Sequence, residues 1–148
     1  MDDNIFMKRI DYKEKCREAL ELEIELQRIS SKYGFTPTII NVIFNQSYCD
    51  IYMTKINEMC LADKYGDNPE NISISIWNEI KKIINILYEC EGIEYIDITP
   101  YNFIEYNNKL FIIDFGHATY KDDKKDRNWF HKEFLEDDGY KAWNEDFK

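Results

Sequence analysis

Residues 95–116 read Y-I-D-I-T-P-Y-N-F-I-E-Y-N-N-K-L-F-I-I-D-F-G. Asp97 is followed five residues later by Asn102, and a short apolar segment then leads to Asp114 within a D-F-G sequence. The segment between them alternates like two strands, Phe103–Tyr106 and residues 109–113, with the pair Asn107-Asn108 at the turn. We therefore predict a loop, a β-hairpin and a second loop, with polar side chains in both loops.

The three polar side chains Asp97, Asn102 and Asp114 are the types that phosphoryl transfer from ATP requires. One carboxylate must accept or orient a hydroxyl proton, while an amide and a second carboxylate hold Mg²⁺ against the phosphates. Each motif alone is also typical of an ordinary turn, because Asp, Asn and Pro dominate turns. Their combination with a preceding buried helix and an apolar strand that ends at Asp114 favours the phosphotransferase interpretation.

The buried helix is predicted from the pattern before this stretch. Ser73 or Ser75 is a candidate N-cap, and the helix is expected to run to about Glu91 and to end at Gly92. Its apolar positions recur at helical spacing in two rows, which are Ile76, Ile80, Ile83 and Leu87, and Trp77, Ile84 and Tyr88. An apolar face this wide indicates a helix that lies in the core.

The rest of the chain predicts an α+β fold in a single domain, residues 1–148. The first predicted elements are a strand at 4–10 and a helix at about 12–33, which ends at Gly34. A hairpin of strands Thr38–Phe44 and residues 49–56 follows. The remaining segments are a polar connection at 57–70 with at most one helical turn and a tail at 121–148 with one or two amphipathic helices. Few long loops are expected, since the chain has only 5 Gly and 3 Pro.

Charge and composition limit the partners. The formal net charge is −10 and no basic cluster is present, so direct nucleic-acid binding is not expected and a protein partner fits better. No apolar run approaches the roughly 20 residues of a membrane span, and the start of the chain does not resemble a signal peptide. The four cysteines form no C-x-x-C pair, which favours reduced thiols in the cytoplasm over structural zinc.

The catalytic-loop-like Asp97…Asn102 and the D-F-G at Asp114 resemble the corresponding segments of the protein-kinase superfamily. The order of elements, from strand through helix, hairpin, buried helix and loop to D-F-G, looks like a kinase domain that begins at its third strand. The match covers roughly residues 5–118. The resemblance implies a truncated kinase-like fold, with a reduced N-terminal lobe and hinge at about 1–56 and a small, mainly helical C-terminal lobe at 57–148.

The resemblance also assigns an ion pair. The sequence I-F-M-K at residues 5–8 resembles the family's V-A-I-K, which implies that Lys8 contacts the α- and β-phosphates. Its partner would be a glutamate on the next helix. Glu23 is favoured because residues 23–37, E-I-E-L-Q-R-I-S-S-K-Y-G-F-T-P, are similar to a segment of the small atypical kinases of the KEOPS type; Glu25 and Glu21 remain alternatives.

The same resemblance implies the other site residues. Met53, Thr54 and Ile56 would be the gatekeeper and hinge that meet the adenine. Asp97 would be the catalytic aspartate, and Asn102 and Asp114 the ligands of Mg²⁺. Thr99, two residues after the aspartate, is similar to KEOPS-type kinases rather than typical Ser/Thr kinases, so the closest groups are small atypical kinases of the KEOPS or RIO type.

The chain also departs from the family pattern. Tyr95 replaces the histidine that normally braces the catalytic loop, no glycine-rich phosphate loop is recognisable, and only seven residues precede Lys8. No A-P-E follows Gly116. The sequence therefore leaves two main hypotheses, an active Ser/Thr protein kinase or a pseudokinase adaptor. A small-molecule kinase of the aminoglycoside or choline type is a third, although such proteins have I-D-x-[DE] where this chain has I-D-F-G.

Overall fold

A computed structural model describes residues 4–147 and shows a small α+β fold, as predicted. The strands are β1 (Ile5–Asp11), β2 (Ile39–Phe44), β3 (Tyr48–Thr54), β4 (Ile93–Glu94), β5 (Phe103–Tyr106), β6 (Lys109–Ile112) and β7 (Thr119–Tyr120). The helices are α1 (Arg17–Ser31), α2 (Leu61–Tyr65), α3 (Ile74–Glu91) and α4 (Trp129–Glu136), with 3-10 turns at Pro69–Asn71 and Glu145–Phe147. The predicted strands and long helices are all present, most of them to within two residues.

The N-terminal third forms a three-stranded antiparallel sheet in the order β1-β3-β2, with α1 packed on one face. Hairpin β2–β3 follows the prediction, and β1 pairs with the other edge of β3 so that Lys8 lies opposite Ile51. A separate apolar cluster holds the helix to the sheet. Its buried members are Ile10, Leu20, Ile24, Cys49, Ile51 and Met53. The register of β1 matters for the site because it fixes where Lys8 stands.

Helix α1 begins at Arg17, later than the predicted start at Tyr12. The backbone N–H of Lys13 donates to the side chain of Asp11 at 2.8 Å, and the N–H of Lys15 donates to the Asp11 carbonyl at 3.2 Å. An aspartate that binds the backbone after it stabilises a turn in competition with a helix. The prediction was therefore wrong at this end of the helix.

The other end of α1 also differs from the prediction. The helix ends at Ser31 with Lys32 at the C-cap, so the predicted C-cap Gly34 lies two residues too far along the chain. Gly34 instead lies in the turn that follows, with a φ of 78°, which glycine adopts without the strain of a Cβ.

Helix α3 forms the centre of the larger core. Ser73 is its N-cap and accepts a hydrogen bond from the N–H of Ile76, and Gly92 ends it in the left-handed conformation with a φ of 66°, both as predicted. Both apolar rows face inward. Their buried members Ile76, Trp77, Ile80, Ile83, Ile84 and Leu87 pack with residues of the following loops and of α4. This core supports the segment that carries Asp97.

Hairpin β5–β6 has the predicted turn, in which Asn107 and Asn108 have φ angles of 51° and 60°. Those left-handed angles match the twist of a two-residue hairpin. The hairpin is tied to the segment after α1, because the N–H of Ile112 donates to the Phe35 carbonyl at 2.7 Å and the Thr36 hydroxyl donates to the Ile112 carbonyl at 2.7 Å. The strand that leads to Asp114 is thereby fixed relative to the N-terminal sheet.

The connection at 57–70 contains more helix than predicted. Five residues form α2, and the 3-10 turn Pro69–Asn71 follows, whereas one helical turn at most was expected. Leu61 is fully buried, and the N–H of Ala62 donates to the Pro100 carbonyl at 2.9 Å, so tertiary packing stabilises this polar segment.

Over residues 4–147, no helix is long and apolar enough to cross a membrane.

The tail forms the single helix α4 and the 3-10 turn Glu145–Phe147, within the predicted range of one or two helices. Its His131 is fully buried beside the ring of Tyr88. The Nε of Arg127 donates to Nδ1 of His131 at 3.0 Å, so the neutral ring carries its proton on Nε2. Burial, with smaller contributions from the charges of Arg127 and Lys121, lowers the pKa of His131 to about 3.

Buried His131 predicts a loss of stability in mild acid. The unfolded chain takes up a proton below pH 6.5, whereas the folded protein does not until the pH approaches 3. The free energy of unfolding should therefore fall by about 1.4 kcal/mol between pH 7.5 and 5.5 from this residue alone. Urea denaturation of the wild type and of His131→Asn, whose amide does not titrate, should differ in pH dependence by that amount. Equal pH dependence in both proteins would contradict the assignment.

Candidate active site

A cavity of about 560 Å³ lies between the N-terminal sheet and the loops that carry Asn102 and Asp114. Six of the eight predicted site residues line it, namely Lys8, Met53, Thr54, Ile56, Asn102 and Asp114. The other two, Glu23 and Asp97, lie behind this lining and contact it through hydrogen bonds. The structure therefore brings the predicted residues together from five separate parts of the chain.

Lys8 reaches the cavity from β1 and is paired with buried Glu23 of α1. The Lys8 ammonium lies 3.2 Å from one carboxylate oxygen of Glu23. Lys15 lies 2.7 Å from the other oxygen, so two cations share one carboxylate. The alternatives on the same helix make other contacts, because Glu21 pairs with Arg17 at the surface and Glu25 accepts a hydrogen bond from Tyr120. The predicted Lys8–Glu23 contact is confirmed.

Lys15 was not predicted, and it connects this ion pair to the D-F-G segment. Its ammonium also donates to the carbonyl of Gly116 at 2.9 Å. A Cβ added at Gly116 would lie 2.9 Å from an Asp114 carboxylate oxygen, 3.1 Å from the Lys15 nitrogen and 3.3 Å from Glu23. A side chain at this position would therefore displace charged groups of the site, which explains the glycine. The signal for Lys15 was absent because the contact spans 101 residues of sequence.

The side chains of Asn102 and Asp114 are each held by one hydrogen bond and keep an oxygen free. The Asn102 amide NH₂ donates to the Asp97 carbonyl at 2.9 Å, and the N–H of Gly116 donates to Oδ1 of Asp114 at 2.7 Å. Within the described residues 4–147, neither Oδ1 of Asn102 nor Oδ2 of Asp114 has a hydrogen-bond partner. Both residues line the same cavity, so two uncommitted oxygens of the type that Mg²⁺ prefers are available there.

No group of three or more His, Cys, Asp or Glu side chains that suits a metal ion occurs in the part of the chain that the structure describes. A dedicated protein cage for a metal is therefore not formed there. Mg²⁺ usually keeps several waters and binds one or two carboxylates together with substrate phosphates. Asn102 and Asp114 fit that open type of site.

Tyr95 braces the two loops against each other. Its hydroxyl donates to the backbone carbonyl of Asp114 at 2.7 Å, and its fully buried ring packs edge-on against Phe103 and Phe115. Burial raises the pKa of Tyr95 well above its usual value, and the carboxylates of Asp97 and Asp114 raise it further. The hydroxyl therefore stays protonated and remains a donor at every physiological pH.

Asp97 is buried and contacts His117, which sequence reasoning had not placed in the site. Nδ1 of His117 lies 2.9 Å from Oδ2 of Asp97. The side chain of Asp97 is only 7% exposed, whereas that of His117 is 57% exposed. The available sequence signal was the position of His117 directly after the D-F-G.

The loop around Asp97 is also held from the C-terminal end. The backbone N–H of buried Asn144 donates to the Ile98 carbonyl at 2.8 Å, and its side-chain NH₂ donates to the Ile96 carbonyl at 2.8 Å. Asn144 therefore bonds to the residues on both sides of Asp97. The sequence analysis predicted helical structure in this tail but did not identify Asn144.

The segment at residues 54–56, which was predicted to be the hinge, offers one free backbone donor. Over residues 4–147, the N–H of Ile56 has no hydrogen-bond partner, whereas the Ile56 carbonyl accepts from Glu58 at 2.9 Å. The N–H of Thr54 is already bonded to the Thr38 carbonyl at 2.9 Å. An unpaired amide at the wall of a cavity is suited to a hydrogen-bond acceptor on a bound ring.

Comparison of the chain with protein-family models and with curated proteins finds no match. The chemistry of the site is therefore interpreted from its own residues and geometry.

The two-cation contact of Glu23 predicts a clear difference between glutamates of α1. Glu23→Gln removes the charge that Lys8 and Lys15 share in a buried position, and it should lower the free energy of unfolding by about 1–3 kcal/mol. Glu21→Gln is the matched control, because its ion pair with Arg17 is exposed on both sides, and it should change stability by less than about 0.5 kcal/mol. Urea denaturation at pH 7 measures both; equal losses would contradict a special role for Glu23.

Proposed function

We propose that the protein is an ATP- and Mg²⁺-dependent phosphotransferase of the protein-kinase type, which transfers the γ-phosphate to Ser or Thr hydroxyls of a protein. One observation carries the proposal: the Lys8–Glu23 pair, Asn102 and Asp114 meet at one cavity although they come from distant parts of the chain. In this proposal the three-stranded sheet and α1 are a reduced N-terminal lobe, and residues 57–147 are a reduced C-terminal lobe.

The nucleotide would lie in the 560 Å³ cavity with its adenine at the hinge. The free N–H of Ile56 can donate to a ring nitrogen, and Met53 and Thr54 line the same wall. Lys8, held from behind by Glu23, can then place its ammonium on the α- and β-phosphates. Because Lys8 is anchored by a buried carboxylate, little side-chain entropy remains to be lost when the phosphates bind.

The free oxygens of Asn102 and Asp114 would hold Mg²⁺ between the protein and the phosphates. When bound, the ion neutralises negative charge on the phosphates. Their remaining atoms are already fixed, since the Asn102 NH₂ is bonded to Asp97 and Oδ1 of Asp114 to the N–H of Gly116. The two side chains therefore approach the metal in a preset orientation, which favours binding over free amide and carboxylate groups.

The hydroxyl of the acceptor would lie on the side of Asp97. Asp97 and Asn102 lie on one loop, in which the Asn102 NH₂ donates to the Asp97 carbonyl, and this contact supports a neighbouring metal ligand and aspartate in the proposed site. Asn144, bonded to Ile96 and Ile98, holds that loop in place. Phosphoryl transfer depends mainly on positioning and electrostatic stabilisation, so a braced loop is the feature that this chemistry needs.

A second candidate function is a kinase-like adaptor that binds and regulates a partner protein, such as a true kinase, without efficient catalysis. The observation that favours it is the distribution of glycine. The five glycines are Gly34, Gly66, Gly92, Gly116 and Gly139, and none belongs to a glycine-rich segment. Without such a loop, fewer backbone amides orient the γ-phosphate, which lowers the rate. In either case a protein is the proposed partner and the cytoplasm the proposed compartment.

Mg·ATP should stabilise the protein if the cavity is a nucleotide site. A ligand present at about 100 times its Kd adds roughly 2.7 kcal/mol to the free energy of unfolding. Thermal melts should show a shift that requires both ATP and Mg²⁺. Asp114→Asn should remove the metal-dependent part of the shift, because the amide loses the negative charge that attracts the ion.

Asp63→Asn is the matched control, since Asp63 is an exposed aspartate in the first turn of α2 and outside the cavity lining. It should show the wild-type shift. An unchanged shift in Asp114→Asn would contradict the metal role of Asp114. No shift of the wild type at millimolar Mg·ATP would contradict the proposed activity and favour the adaptor, whose partner would then be sought by co-purification.

A further inference from the structure

The contact between Asp97 and His117 has a defined direction. A carboxylate only accepts hydrogen bonds, so the 2.9 Å contact requires that Nδ1 of His117 carries the proton and donates it to Oδ2 of Asp97. In the neutral imidazole, the other ring nitrogen, Nε2, then has a free lone pair. Since the His117 side chain is 57% exposed and the Asp97 side chain 7%, an incoming hydroxyl reaches the imidazole more readily than the carboxylate.

The imidazole is also held by the C-terminal turn. The ring of Phe147 lies 4.8 Å from the ring of His117, with 39° between their planes. The N–H of Phe147 donates to the carbonyl of Asn144 at 3.2 Å, and Asn144 is bonded to the loop that carries Asp97. One segment therefore fixes both the loop and the ring that contacts its aspartate.

We propose that Nε2 of His117 takes the proton of the acceptor hydroxyl, and that Asp97 acts by orienting the ring and stabilising its positive charge. The inference rests on the proposed phosphotransferase function and deepens it. It assigns the acceptance of the proton to the exposed imidazole of His117 instead of the buried carboxylate of Asp97. The division of labour is the one by which an aspartate and a histidine activate a hydroxyl in other acyl- and group-transfer sites.

The step balances as follows in atoms and charge. The acceptor oxygen forms a bond to the γ-phosphorus of ATP while its proton passes to Nε2 of His117. The bond between the γ-phosphorus and the β,γ-bridging oxygen breaks, and ADP leaves with that electron pair. His117 becomes an imidazolium that remains bonded to Asp97 through Nδ1, and it then releases the Nε2 proton to solvent.

The position of His117 also indicates where the acceptor enters. His117 lines a second cavity of about 460 Å³, which is separate from the nucleotide cavity in its lining residues. Its charged lining residues have both signs and are Glu94, Asp122, Asp123, Asp126, Lys121, Lys125 and Arg127. The acceptor would therefore reach His117 through this second cavity.

The test uses the full chain and two readouts, Mg·ATP-dependent thermal stabilisation and turnover. Turnover is measured as phosphate release from Mg·ATP, with water as acceptor, and as self-labelling with γ-labelled ATP. His117→Gln keeps a side-chain N–H for Asp97 but cannot take a proton, so we expect wild-type stabilisation by Mg·ATP and a loss of turnover of about 100-fold or more. In His117→Ala, added imidazole should restore part of the turnover.

Lys124→Gln is the control, because Lys124 is exposed and lies in the same segment but outside the lining of the second cavity. It should keep full turnover. Wild-type turnover in His117→Gln overturns the proposal, because Asp97 would then take the proton itself. The proposal is also overturned if added imidazole does not restore turnover in His117→Ala, or if His117→Gln loses its stabilisation by Mg·ATP. It is overturned as well if Mg·ATP stabilises the wild type but no turnover is detected. A wild type without Mg·ATP stabilisation contradicts the proposed function itself.

Discussion

The arrangement of the site depends on the hydrogen bond from the Tyr95 hydroxyl to the Asp114 carbonyl. The ring of Tyr95 is fully buried against Phe103 and Phe115, and a buried hydroxyl left unpaired would cost about 1–3 kcal/mol. Tyr95 precedes Asp97 by two residues, and Asp114 precedes His117 by three. The bond therefore joins the two loops close to the 2.9 Å contact between Asp97 and His117.

A second constraint joins the sheet to these loops. Lys15 bridges Glu23 and the Gly116 carbonyl, while Lys8 uses the other oxygen of the same carboxylate. The orientation of Lys8 toward the cavity is therefore coupled to the position of the D-F-G segment. Because Glu23 is buried, loss of either lysine would leave its charge less compensated, so these groups form a network rather than independent ion pairs.

Much of the local structure could be predicted from the sequence. The wide apolar face of α3, its Ser73 cap and the Asn107-Asn108 turn are local signals that the structure confirms. Helix α1 begins later than predicted because a turn at Asp11 competes with it. The helical content of the segment that contains α2 was underestimated because burial of Leu61 stabilises an otherwise polar segment. Local pattern contains no information on such tertiary effects.

The residues of the site could also be predicted from the sequence only in part. Lys8 and Glu23 were found by resemblance to a known order of elements, and their contact is present, while their chemical roles remain predictions. Lys15 and Asn144 were missed because each acts through contacts far along the chain, and nothing adjacent in sequence marks them. His117 was missed although it directly follows the D-F-G, because its contact with Asp97 depends on how the two loops pack. The most direct measurement is paramagnetic broadening by Mn²⁺ in the presence of ATP, which reports the position of the metal. If Asn102 and Asp114 hold it, the side-chain amide of Asn102 and the backbone amide of Gly116 should broaden first. Broadening confined to the acidic segment at Asp122, Asp123 and Asp126 would contradict the proposed site.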